Sequence, residues 1–574
     1  AVRLAELRLW LALVAGDATA DARTVAPLPN LDGHVRQGDA LLDPLTLARA
    51  LVGGAGWSAA RAEVERLAAA RQALFGFSGP AKRAAARALA RAERTLALEL
   101  FGGAERRLDE QIRALVAGGR APDLFGRRQG IGADDRVRLR RLRACAREVR
   151  EARRRVQREG GAPFFSFASH FADVTARGGF DCVVGNPPWV RGERLPARVR
   201  EALASRYESY RAGGAGAGGY AHPPDLAVAF VDRALGLSAP GGAVGLLVPA
   251  KLATSGYAEH LRRRLSQRTR IARVEALGTA AAAFGAAVYP MALVVANAAP
   301  AADATTRLEL GEPARLPALP QRLLRAPGPW ILRPDADAVA RRLRREFPVL
   351  GERWTPQLGT KTGADDLYLV AEPVAGTRPA LRGRDCRSWR GEVRVHLLWT
   401  HGADGKPLTA LPAPALARLE PHRDRLRARA DYRGGPPWQV FRTGLACAPH
   451  RVCWPDLARR LSAHVPPADV VPLNTIYGIV ARTADDAHAL ACLLNSRWTG
   501  ALAALRADPA RGGFRRFNAG IVRALPVPPA AHPAWIELAA RGRTHAAADD
   551  LLAEVFGLDA ADRRALGGVL PDSR

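Results

Sequence analysis

A short hydrophobic run that stops at two consecutive prolines constrains this chain more than any other feature. Phe180-Asp181-Cys182-Val183-Val184 has the character of a buried strand, and Gly185-Asn186-Pro187-Pro188-Trp189 follows at once. Proline cannot donate to a sheet ladder, so the strand must end here and the chain must turn. In an α/β sheet the carboxyl end of a strand is where ligands bind. Asn186 offers a side-chain carbonyl acceptor there. Pro187 has no N–H, so this backbone supplies a carbonyl acceptor without a competing donor. Two stiffly held acceptors suit a planar amino group such as adenine N6, and Trp189 adds a flat face for stacking an extruded base. Drawing both amino hydrogens into hydrogen bonds favours a pyramidal nitrogen whose lone pair attacks an electrophilic carbon. Pro436-Pro437-Trp438 repeats the tripeptide without asparagine, so the strand and Asn186 carry the reading.

Around that strand the pattern alternates. A helix from about Asp225 to Leu237 leads through Pro240-Gly241-Gly242 into a strand over 243–248. A second helix near 257–268 precedes a strand over 272–277, and 291–296 forms another. Such spacing predicts an α/β fold with a parallel or mixed sheet. Upstream, Val2, Leu4, Leu7, Leu11 and Val14 recur at helical spacing, and a short strand is expected over 34–39, ending at Asp39. Long helices rich in Ala, Arg and Leu fill 58–160, broken at Ser78-Gly79-Pro80 and near 118–132. Strand signals resume only afterwards, so this stretch is expected to be an insertion. Residues 297–345 are rich in Pro and Ala and mark a boundary. From about Glu352 onward, short strands, Gly turns and several tryptophans predict an α+β domain, closed by an amphipathic helical tail over 545–570.

Composition narrows the function classes. The 574 residues are 48% hydrophobic and 25% charged, which excludes a disordered or collagenous chain. No apolar run approaches the ~18–20 residues of a membrane span, no signal-peptide pattern opens the chain, and the six cysteines form no Cys-x-x-Cys pair. A cytoplasmic protein with no metal site is expected. The net charge of +29 suits a polyanion such as DNA or RNA. Only Lys82, Lys251, Lys361 and Lys406 are lysines. Arginine suits bidentate phosphate and guanine contacts, and the accompanying Ala, Gly and Pro also fit the codon bias of a GC-rich genome.

Asn186–Trp189 behind its strand resembles the catalytic Asn/Asp-Pro-Pro-aromatic motif of the DNA adenine-N6 methyltransferases, in particular those of type IIG restriction–modification systems. The resemblance extends through Glu6–Val14, Pro27–Asp43, Pro224–Leu252 and Ala281–Val295. It continues into a C-terminal target-recognition domain at Leu358–Val370, Leu381–Trp389, Pro472–Val480, Leu493–Ser496 and Arg511–Pro528. It implies a Rossmann-like S-adenosylmethionine-dependent methyltransferase sheet with a helical insertion and an α+β recognition domain. The implied division is 1–57 and 161–300 for the methyltransferase, 58–160 for the insertion, 301–345 for a linker and 346–574 for recognition. S-adenosylmethionine is the implied cofactor, with Asp39 and Asp225 at the positions lining it. Double-stranded DNA is the implied partner, together with a nuclease domain or subunit. Asn186, Pro187, Pro188 and Trp189 are the implied catalytic residues, and Phe284 the aromatic flanking the flipped base. Arg511, Arg515 and Arg516, interleaved with glycine and Phe514, make a nucleic-acid surface.

Three features temper the resemblance. The family's Gly-rich cofactor loop belongs upstream of the first helix, inside which this chain starts, so half of the cofactor site is expected to be missing. Gly213–Gly219 follows no strand and is expected to be a loop. Asp404-Gly405-Lys406 is the only match to a nuclease Asp-x-Lys spacing, and it reads as a turn. A glutamine or RNA N-methyltransferase, and a non-catalytic DNA-binding fragment, are the competing readings.

Overall fold

The computed structural model describes residues 2–15, 34–45, 47–48, 61–76, 79–120, 130–159, 164–214, 223–277, 290–310, 318–510 and 513–570. Its centre is a mixed α/β unit. Strands β1 (Phe180–Gly185), β2 (Ser238–Pro249), β3 (Arg270–Ala276), β4 (Pro290–Ala296), β5 (Thr305–Leu310) and β6 (Leu319–Pro320) form one sheet in the order β1-β2-β4-β3-β5-β6. The pairs β1–β2 and β3–β5 are parallel, and β4 runs antiparallel between β2 and β3.

The amino-terminal helix α1 (Val2–Ala15) forms where the apolar spacing predicts it. Helices α2 (Arg61–Gly76), α3 (Gly79–Arg120) and α4 (Ala133–Glu159) fill the expected helical stretch. They build their own core around Leu67, Leu96, Phe101, Val149 and Val156, to which Leu45 and Ala172 also contribute. After β1 come α5 (Ala197–Arg206), α6 (Glu208–Gly214) and α7 (Leu226–Leu237). Helices α8 (Lys251–Thr254) and α9 (Glu259–Arg268) separate β2 from β3. The apolar faces of α7 and α9 meet Val244, Val248, Ile271, Val274 and Leu293 in the sheet core. No helix among the described residues is long and apolar enough to cross a membrane.

Several expectations need correction. The run before Asn186 is not a buried strand: Asp181, Cys182 and Val184 are exposed, Val184 by 79%. Among the described residues β1 pairs on one edge only, so its second face and edge stay open. Residues 34–39 form turns and bends rather than a strand. The carboxylate of Asp39 accepts the N–H groups of Leu41 and Leu42, a local turn that competes with extension. The stretch 301–345 is not a linker. It supplies β5 and β6, and Gln321, 1% exposed, donates to the Thr269 carbonyl at 2.7 Å and accepts the Ile271 N–H at 2.9 Å. That amide finishes the β3 ladder where no strand neighbour is available. Helix α10 (Pro334–Glu346) then buries Ala336, Val339 and Leu343 in the C-terminal core.

That core gathers Trp454, Phe517, Leu490 and Phe556, the last from within the 545–570 tail. Trp454, fully buried, keeps its indole N–H satisfied by the Phe517 carbonyl at 2.9 Å. Among the described residues short strands give four further small sheets, one of them joining Leu457–Ala458, Phe514–Arg516 and Asp508–Ala510.

Candidate active site

β1 delivers Asn186 to the carboxyl end of the sheet, where Gly185 stands in register with Leu246 of β2. Residues 186–190 then run without helix or strand. Two bonds hold this segment. The Trp189 indole N–H donates to the Leu247 carbonyl at 3.2 Å, and the Leu226 N–H donates to the Val190 carbonyl at 2.9 Å. Pro187 is buried, Trp189 half-buried, and Asn186 and Pro188 are exposed. Among the described residues the Asn186 amide meets no hydrogen-bond partner. It stands at the end of a strand, on a proline-stiffened backbone, with its acceptor unspent.

The segment lies against the start of α7 because Gly192 has no side chain. A Cβ there would lie 2.5 Å from the carbonyl oxygens of both Pro223 and Pro224. Gly192→Ala therefore pushes the Asn186 loop off Pro223–Pro224. Single-turnover assays are expected to show at least ~10-fold slower methyl transfer. Thermal unfolding should register only the ~1–3 kcal/mol cost of overpacking.

Asp225, next along, is the N-cap of α7. Its Oδ1 accepts the Ala227 N–H at 3.0 Å. The residue is 8% exposed, and burial pushes its carboxyl up to about 6; the Ala227 N–H, Lys251 and Arg191 pull it down, while Glu193 pushes it up. Beside it, the buried Tyr210 hydroxyl has no hydrogen-bond partner. Burial, helped by the Asp225 and Glu193 charges, pushes the Tyr210 phenol up to about 12. The end of α6 closes this corner, since a Cβ on Gly213 would come within 2.1 Å of the Tyr257 carbonyl. Gly213 thus belongs to a packed helix end rather than to a loop, while 215–219 lie outside the described residues. A buried carboxylate with one oxygen to spare and an orphaned hydroxyl make a polar corner suited to a ligand.

Asp39 is exposed, and its turn is fastened to the same helix. Arg233 of α7 donates to the Ala40 carbonyl at 3.0 Å and pairs with Asp43 at 3.1 Å, and the Tyr207 hydroxyl donates to the Leu41 carbonyl at 2.7 Å. Arg233 is eight residues beyond Asp225, about 12 Å along the helix axis. The Asp39 turn is thus anchored to α7 about two turns beyond the Asp225 cap.

A C-terminal strand pair reaches this region too. The Thr254 hydroxyl, at the end of α8, donates to Asp508 Oδ1 at the start of the strand Asp508–Ala510, which pairs with Phe514–Arg516. Helix α8 is itself fixed by Arg262, which donates to the carbonyls of Leu252 at 2.9 Å and Ser255 at 2.8 Å. Arg515 donates to the Ala504 carbonyl at 2.9 Å, and Arg516 pairs with Asp456. Both guanidinium groups are therefore engaged within the protein. Phe284 and Arg511 lie outside the described residues. Asp404-Gly405-Lys406 is a turn, with Gly405 at φ +75° and the Lys406 N–H on Asp404.

Nothing in the spacing of the sequence marks Gly192, Tyr210 or Thr254. Lys251 does carry a signal, being one of four lysines in a chain whose other permanent cations are arginines.

Residues 1–284 match the family model described as Eco57I restriction-modification methylase. The type II methyltransferase M.PaeR7I of Pseudomonas aeruginosa is 27% identical over 438 residues, covering 68% of this chain and 73% of that protein. The type II methyltransferase M.XhoI of Xanthomonas vasicola is 26% identical over 430 residues, covering 67% and 76%. Among solved structures, the type IIL restriction-modification enzyme MmeI in complex with DNA aligns with a TM-score of 0.46 and 13% identity, over 84% of this chain and 70% of its own.

Proposed function

We propose that this chain, whose residues 1–284 match the Eco57I restriction-modification methylase family model, methylates the N6 amino group of adenine in double-stranded DNA. The observation that carries this reading is the unspent Asn186 amide on a rigid, half-buried Pro-Pro-Trp segment at a strand's carboxyl end.

A duplex hides N6 in its stack, so the adenine must be extruded. Trp189, held by the Leu247 carbonyl, offers the stacking face. The side-chain oxygen of Asn186 and the carbonyl of Pro187 each accept one N6 hydrogen. Their acceptance turns the nitrogen lone pair outward and stabilises the positive charge that develops on nitrogen as its bond to carbon forms. The extra proton then leaves through the same acceptors to water.

S-adenosylmethionine is the methyl donor this chemistry calls for: when bound it would supply a methyl group carried on a sulfonium, whose carbon–sulfur bonding pair leaves with sulfur as a neutral thioether. The donor set at Asp225 fits such a group, with a buried carboxylate and an orphaned Tyr210 hydroxyl. Asp225 and Tyr210 would hold its polar portion, and Asp39, on the turn that Arg233 of α7 fastens, would bind another part of it.

Labelled S-adenosylmethionine, offered with unmethylated duplex DNA, RNA and protein, tests the assignment by nucleoside and amino-acid analysis of the product. Label recovered as N6-methyldeoxyadenosine is the expected result. Label on cytosine, on RNA or on a glutamine amide overturns it.

A further inference from the structure

Helix α4 (Ala133–Glu159) carries eleven arginines against five carboxylates, and they are not evenly spread. At 3.6 residues per turn, Arg136, Arg140, Arg143, Arg147, Arg154 and Arg158 fall within about 60° of one another. All six are exposed, on the side opposite Cys145, Val149, Ala152 and Val156, which are buried. Arg140, Arg143, Arg147, Arg154 and Arg158 have no ion-pair partner among the described residues. Of the helix's acids, Glu148 turns aside to Arg206 of α5, and Glu151 stands only at the margin of the arginine face.

A surplus of arginine written by base composition would scatter around the helix. Here it is sorted. The sorting also costs stability, because 136/140, 143/147 and 154/158 are like-charged i, i+4 pairs. A polyanion laid along such a stripe relieves this repulsion and releases the counterions that otherwise screen it. The six residues span about 33 Å of helix axis, close to ten base-pair steps of a duplex. Arg206, which fixes Glu148, closes α5, the first α-helix after the Asn186 loop, so the stripe is tied to the catalytic unit.

We propose that this face of α4 binds the phosphate backbone of duplex DNA flanking the methylated site, without reading sequence. The proposal rests on the DNA-methylase reading for its choice of polyanion.

The test is the salt dependence of duplex affinity in the full chain. In Arg140→Gln, Arg143→Gln, Arg147→Gln, Arg154→Gln combined, each glutamine keeps helix propensity while removing charge. The slope of log affinity against log salt is expected to become shallower by about 3 to 4, and affinity at ~100 mM salt to fall ~10-fold or more. The loss should be equal for cognate and non-cognate duplexes, with the rate at saturating DNA unchanged. The four matching lysine substitutions should restore the slope. An unchanged slope in a variant of wild-type helicity overturns the proposal, as does a loss confined to RNA. Wild-type protein that binds duplex through the stripe but transfers no methyl group would instead sink the methylase reading alone.

Discussion

Asn186→Ala is expected to slow methyl transfer about 10³-fold while leaving DNA affinity within about 2-fold. The magnitude follows from what the residue does not do. Its amide makes no bond to the protein among the described residues, and the side chain is exposed. Removing it therefore leaves no buried group unsatisfied, and stability should change by no more than ~0.5 kcal/mol. Trp189 and Pro187 keep their places, because the Leu247 carbonyl and the burial of Pro187 fix them independently. What is lost is one acceptor aimed at charge that appears only in the transition state, a term worth ~10²–10³ for one group. Asn186→Asp retains an acceptor and should recover part of the rate. Single-turnover methylation and duplex anisotropy measure the two effects separately. A rate loss matched by an equal affinity loss would mean that Asn186 merely binds DNA.

Asp225→Asn is expected to stabilise the fold at pH 8 while impairing the reaction. The Asp225 carboxyl stands at about 6 in the folded chain, above its ordinary 3.8, because burial penalises the charged form. Between those values the folded state holds more protons than the unfolded one. Stability is therefore greatest below about 4 and declines as pH rises through about 6. Above that, the buried charge costs about 2–3 kcal/mol. Asparagine removes the charge yet caps α7 as well as aspartate does. Thermal unfolding of the variant should rise by several degrees at pH 8 and coincide with wild type near pH 4. Methylation should fall at least ~10-fold, since the carboxylate proposed to hold the cofactor is gone. For the same reason, wild-type methylation should decline as pH drops through about 6. A lower unfolding midpoint for the variant at pH 8 would contradict this account of Asp225.

Local chemistry was legible in the sequence, and long-range pairing was not. Two prolines after a β-branched run can only end a strand, so the position of Asn186 followed from residues 180–189 alone. The start of α7 at Asp225 was legible in the same local way, from the apolar run that follows it. Most of the failures involve partners distant in sequence. Asp39 looked like a strand end because its neighbours alternate, but its own carboxylate turns the chain, and Arg233, 193 residues away, holds the next carbonyl. Pro- and Ala-rich 301–345 looked like a linker because nothing local reveals that Gln321 completes β3 or that α10 packs beneath Trp454. The partners of Arg515 and Arg516, Ala504 and Asp456, are likewise set by how short strands meet. Close approach at Gly192 depends on Pro223 and Pro224, thirty residues on, and no composition signal announces it.

The most direct test of the central claim is long-read mapping of modified adenine on an unmethylated plasmid expressing the protein from its native reading frame, beside the Asn186→Ala variant. N6-methyladenine at one short recurring sequence, absent with Asn186→Ala, is the predicted result. An unmodified plasmid from soluble, DNA-binding wild-type protein, or the same methylation in the variant, would contradict it.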